Sequence, residues 1–150
     1  MAHFHPPSTM AAGHPLHWAF VQFPVVCFTL TLFTDLIYWA TANLMWHNFS
    51  AWLLFAGLIF GVVAIVVGLI DFLVRPAMRA YRPGGSYLIG SAVVLLLGFI
   101  NNLVHAGDGW TAIVPTGIVL SAVTVVAIIA TDWFGSPAVL ARRSGDRTHV

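Results

Sequence analysis

The sequence predicts an all-α membrane protein, four transmembrane helices in an up-down-up-down antiparallel bundle. Three observations point to it. Charged residues make up 7% of the 150 residues, against about 25% in ordinary soluble domains. Mean hydropathy is strongly positive, at +0.91. The few charges leave uncharged stretches at residues 1–34, 36–70, 83–107 and 109–131, each able to hold a membrane span of about 20 residues.

The first span, 17–40, can cross a hydrocarbon core of about 30 Å at about 1.5 Å per residue. His14-Pro15 opens it, and proline is well tolerated in a first helical turn. Trp18 at one end and Tyr38, Trp39 and Trp46 near the other are interfacial rings. Pro24, inside the run, is expected to bend the helix and free the carbonyl of Phe20. The second span, 51–74, begins beside Trp52 and stops where Arg75-Pro76 follows Asp71-Phe72-Leu73-Val74, a charge and a helix breaker together. The third, 87–104, lies between Arg82-Pro83-Gly84-Gly85 and Ala106-Gly107-Asp108-Gly109, both turn compositions. The fourth, 111–134, has Trp110 and Trp133 at opposite ends and is closed by Gly135-Ser136-Pro137. Short connections favour antiparallel neighbours. A His-rich arm (1–16) and a basic tail (135–150) flank the membrane domain of 17–134.

The arginines set the expected orientation. Arg75, Arg79, Arg82, Arg142, Arg143 and Arg147 all fall on the side that holds both termini and the loop between the second and third spans. The positive-inside rule then places both termini in the cytoplasm, for a multi-pass protein of the bacterial inner membrane. Ala40-Thr41-Ala42 could imitate a signal-peptidase site, but the preceding run is too long, contains Asp35 and lacks a basic leader. With a net charge of +1 and basic residues in short clusters, no stripe could track a nucleic acid backbone. The single Cys27 excludes a disulfide, a cysteine-ligated zinc or an iron–sulfur site within one chain.

Membrane helices associate through small residues and polar contacts, because lipid is as apolar as leucine. Gly57, Gly61, Ala64, Gly68 and Asp71 form one such stripe on the second helix. Gly117, Ser121, Thr124, Ile128 and Asp132 form another on the fourth, and Ser91, Gly98, Asn102 and His105 one on the third. These spacings predict left-handed crossings near about +20°.

Polar residues inside the spans are the candidates for chemistry. Asp35 has no arginine within reach along its helix and is expected to be a proton or ion site together with Asn101 and Asn102. The alternative is a carboxyl hydrogen-bonded across helices, to one of these asparagines or a tyrosine hydroxyl. Asp71 and Arg75 stand four apart, in the orientation of a helical ion pair, and Asp132 is expected to anchor a helix end. The histidines fall near the membrane surfaces. His14, His17, His47 and His105 are the candidate cofactor ligands and His3, His5 and His14 the candidate metal ligands, for haem b or a divalent metal. Only His47 and His105 share a depth without bending the arm inward, although His47 is expected in a loop. Interfacial hydrogen bonding is the competing role for these histidines. No Ser-His or Cys-His pairing suggests a nucleophile, and Gly68-Leu69-Ile70-Asp71 lacks the second glycine of an intramembrane aspartyl protease. No catalytic residue and no enzyme activity of the isolated chain are therefore expected.

Gly13-His14-Pro15-Leu16-His17, then Phe23-Pro24 and Asp35, and Gly68-Leu69-Ile70-Asp71-Phe72 closing the second span, resemble the bacterial membrane family known as domain of unknown function 2231. Pro115-Thr116-Gly117 through Leu120-Ser121 looks like its fourth helix. The resemblance implies a four-helix inner-membrane protein without an established activity. Because some members look like redox components, it also implies haem or quinone chemistry, favouring His14, Asp35 and Asp71. The chain departs from the family where a His commonly opens the third helix, since Gly84-Gly85-Ser86 stand there. The expectation is a small subunit or accessory of a membrane redox assembly, with a membrane or periplasmic redox protein as partner. The alternatives are a small proton-coupled transporter or channel using Asp35, and a purely structural membrane subunit. The outer faces of four helices leave room for a homo-oligomer in the lipid bilayer.

Overall fold

A computed structural model describes residues 16–74, 85–107 and 113–135. It contains the helices α1 (Leu16–Thr41), α2 (Leu44–Val74), α3 (Gly85–Ala106) and α4 (Ile118–Gly135), the last entered through a π-type turn at Ile113–Gly117. All four spans are long and apolar enough to cross a membrane. Each helix packs on two others, α1 and α3 both contacting α2 and α4, which closes the bundle into a ring. The end of the bundle at which α1 and α3 finish and α2 and α4 begin is called the turn end below.

The α1–α2 connection is very short and held by local hydrogen bonds. Ala42 donates its N–H to the Tyr38 carbonyl at 2.7 Å, and the Asn43 side chain accepts the N–H of Met45 at 3.0 Å, an N-cap that starts α2 at Leu44. The helix therefore begins ahead of the apolar run that opens at Ala51. His47, expected in a loop, lies in the first turns of α2. Ala42 sits at φ 51°, a left-handed conformation that strains an L-residue by about 1 kcal/mol and suits glycine. Ala42→Gly is expected to stabilise the protein by about 0.5–1 kcal/mol, raising its melting temperature in detergent.

Proline shapes two places differently. α1 runs through Pro24 without interruption, and beside it Phe23 stacks on Phe60 of α2 with ring centroids 4.4 Å apart. Before α4, Val114 is extended at φ −112° and ψ 116°, as a residue preceding proline tends to be. Regular helix therefore begins at Ile118, beyond the 111 expected from hydropathy.

The apolar core takes one residue from each helix, Phe28, Leu54, Val94 and Ile128. Phe28 fits there because glycine faces it from two neighbours. A Cβ on Gly57 would lie 2.6 Å from Phe28 Cε1, and one on Gly98 would lie 2.6 Å from Phe28 Cζ. Elsewhere the usual division of residues is inverted. Phe33, Ile59, Leu96 and Val126 point outward, while Thr31, Asp35, Ser50, Asn101, His105, Ser121 and Thr124 are buried. Several hydroxyls bond back to their own helix, among them Thr31 to the Cys27 carbonyl at 2.9 Å and Thr124 to that of Leu120 at 2.7 Å. Such bonds satisfy donors that lipid cannot. On α3 the buried positions are Val94, Gly98, Asn101 and His105. Asn101, and not Asn102, therefore continues the inward stripe.

Candidate functional site

Asp35 is the centre of a polar cluster near the turn end, about 9 Å short of the end of α1 at about 1.5 Å per residue. Its side chain and that of His105 are both at 0% exposure, with Nε2 of His105 3.0 Å from Asp35 Oδ1. Its other oxygen, Oδ2, accepts the Ser121 hydroxyl at 2.6 Å. Ser121 Oγ in turn accepts Nδ2 of Asn101 at 2.8 Å. The cluster thus ties α1 to α3 and α4 through side chains that the 3-4 stripes of those helices turn inward. α2 joins through His47, whose ring lies 6.0 Å from that of His105 at an interplanar angle of 14°. Tyr38 of α1 flanks His47 on another side, with ring centroids 6.0 Å apart. A second link between α1 and α2 lies alongside, where Ser50 Oγ and Thr34 Oγ1 are 2.7 Å apart.

The hydrogen-bond directions determine what this arrangement can do. Nδ1 of His105 lies 2.9 Å from the carbonyl oxygen of Asn101. A carbonyl only accepts, so Nδ1 carries a hydrogen. A neutral imidazole would then present a bare Nε2 to Asp35, and two acceptors cannot bond. The 3.0 Å contact between Nε2 and Oδ1 therefore contains a proton. It belongs to the Asp35 carboxyl or to an imidazolium, and the pair is neutral overall in both cases. Neutrality is what a low-dielectric interior favours.

The same directions separate Ser121 from His105. Ser121 gives its hydroxyl hydrogen to Asp35, while Nε2 of His105, the atom that would have to take a serine proton, is bonded to Asp35 instead. The cluster is therefore not arranged as a Ser-His pair. The residues also do not fit haem. Both ring nitrogens of His105 are committed within the bundle, and its ring lies nearly parallel to that of His47 at 6.0 Å. Iron between two histidines needs a nitrogen lone pair from each. Among the described residues, no three His, Cys, Asp or Glu side chains group as a metal site.

The other candidates are dispersed. His17 lies on the first turn of α1, remote along the helix from Asp35. His3, His5, His14 and Arg75 fall outside the described residues. Asp71 is buried at the far end of α2, whereas Asp132 is exposed on α4. Asn102 is half-buried beside the cluster. Sequence reasoning singled out Asp35 and Asn101 but missed Ser121, which it had read as a packing residue, and missed His105 as the partner of Asp35. Register could have found both. His105 follows Asn101 by one helical turn, and Ser121 lies near the start of α4, at the same depth as Asp35 in an antiparallel bundle.

A ring of apolar spans around one buried, proton-bearing polar cluster defines a polytopic helical membrane protein. The chain belongs to the family described as Predicted membrane protein (DUF2231), whose sequence model matches residues 13–147. No curated protein and no solved structure matches the chain.

Proposed function

We propose that this protein is a proton-coupled membrane component, in which the Asp35–His105 pair holds a proton and exchanges it. The observation that supports this most directly is the hydrogen-bond pattern on His105. Its Nδ1 is fixed to a carbonyl, so the proton facing Asp35 can move between two partners without creating net charge. An intramembrane carboxylate paired with histidine at 0% exposure is a costly feature of the kind that marks ion and proton pathways. The redox-linked subunit suggested by the family resemblance would need ligands other than His105, whose two ring nitrogens are both committed within the bundle. The positive-inside asymmetry of the arginines supports a bacterial cytoplasmic membrane with both termini inside, which puts the turn end on the outer face.

The test is ¹⁵N-histidine magnetic resonance of the protein in bilayers. The ring nitrogens of His105 are expected to exchange hydrogen with water and to change their shifts when Asp35→Asn removes the shared proton. Asparagine suits the comparison because its NH₂ can donate to Nε2 while its oxygen accepts from Ser121. A His105 whose hydrogens stay fixed for hours in the wild-type protein would instead make the cluster a structural clamp.

A further inference from the structure

The proton-bearing pair is closed towards one end of the bundle and marked towards the other. Deeper in the membrane, Phe28, Leu54, Val94 and Ile128 fill the space between all four helices. Phe28 is held there by Gly57 and Gly98. Thr31 and Thr124, at about the depth between this plug and the pair, spend their hydroxyl hydrogens on their own helices. No chain of side-chain donors leads through that layer among the described residues.

Towards the turn end the situation differs. Asn101, 1% exposed, has its Oδ1 buried without a hydrogen-bond partner, and so has Nδ1 of His47. A buried acceptor left unmatched costs about 1–3 kcal/mol, which a donor such as water would offset. His47 is only half-buried, so one ring touches both the outside and the face of His105. The titratable groups facing it are Tyr38 and Asp35 from α1 and His105 from α3. At this level α4 brings the Ser121 hydroxyl to the interior.

We infer that His47 is the proton entry to the Asp35–His105 pair, admitting protons from the turn end through water held against His47 Nδ1 and Asn101 Oδ1. The inference rests on the proton-exchange reading above and gives that site a single open side. The steps balance. With Nδ1 bare, neutral His47 carries its hydrogen on Nε2. The shared proton leaves through the internal water to His47 Nδ1 while the Nε2 hydrogen passes to solvent. The reverse brings a solvent proton onto Nε2 and returns the Nδ1 hydrogen through the water to the pair, so His47 and the pair regain their starting charge and tautomer by the same open side. Imidazole suits this role because it accepts at one nitrogen and donates at the other.

The test follows magnetisation transfer from water to the His105 ring in the full chain in bilayers, comparing wild type with His47→Phe and His47→Gln. Phenylalanine keeps the stacked ring without nitrogens, and glutamine keeps a polar group that does not relay a proton by this route. Transfer to His105 is expected to fall about ten-fold in both variants, a conservative loss for a missing proton relay. The remaining spectrum serves as the check of folding. Unchanged transfer in a folded variant overturns the entry role while leaving the exchanging pair intact. An absence of transfer in the wild-type protein overturns the proton-exchange reading itself.

Discussion

Asp35→Ala is expected to destabilise the folded bundle by about 2–4 kcal/mol, whereas Asp35→Asn should change stability by less than about 1 kcal/mol. Alanine strips His105 Nε2 and the Ser121 hydroxyl of their partner at once, in a site at 0% exposure, and leaves a void besides. Typical hydrogen bonds between membrane helices contribute only about 0.6 kcal/mol, because the dissociated helices find other partners in lipid. The larger figure is expected because two interior groups lose one shared partner, and the acceptor on His105's own helix, the Asn101 carbonyl, is already taken by Nδ1. Asparagine reproduces both contacts with a hydrogen that cannot be exchanged as an acid proton. Unfolding in mixed micelles, followed by circular dichroism or by force, checks the pair of variants. Equal losses for both would mean that charge, not hydrogen-bond matching, holds the cluster.

Gly98→Val is expected to be the most disruptive single change in the apolar core, costing about 3 kcal/mol, at the upper end of overpacking effects. Even the first added carbon would lie 2.6 Å from Phe28 Cζ, and the ring has little room to retreat because it already lies so close to Gly57 that a Cβ there would be 2.6 Å from its Cε1. The two glycines grip one ring from α2 and α3, so their substitutions should not be independent. Shrinking the ring with Phe28→Leu should recover about 1–2 kcal/mol of the Gly98→Ala loss, as expected of residues in direct contact. A double-mutant cycle in the same unfolding assay measures that coupling. Additive losses would show that the notch relaxes by moving backbone instead.

The architecture was legible because lipid imposes a coarse rule. The charge-free stretches had to be spans, and the 3-4 stripes of Gly57, Gly61 and Ala64 or of Ser121, Thr124 and Ile128 had to face inward. Boundaries were less legible, since hydropathy reports the depth of lipid and not the helix itself. Asn43 extends α2 into polar sequence up to His47, while Pro115 delays α4 despite apolar sequence. The site was half legible. A carboxyl alone in a span signals a need for partners, but which partners depends on helix rotation. A rotation of one residue decides between Asn101 and Asn102, and composition carries no such information. His105 was read as a ligand because its number and position suggested one. Its two committed nitrogens become visible only with the carbonyl of Asn101 and the carboxyl of Asp35 in place.

The partners of Asp35 lie 70 and 86 residues further along the chain, and that separation bears on how the protein is made. A ribosome delivers α1 and α2 first, as a hairpin closed by Ala42 and Asn43. The carboxyl therefore enters the bilayer while His105 and Ser121 are still unsynthesised. During that interval the half-built protein carries a lone acid among lipid tails, held only by insertion machinery or by a protonated, solitary state. Arrival of the second hairpin ends that exposure and withdraws the carboxyl from view. An Asp35 without His105 and Ser121 is thus a feature of the unfinished chain alone.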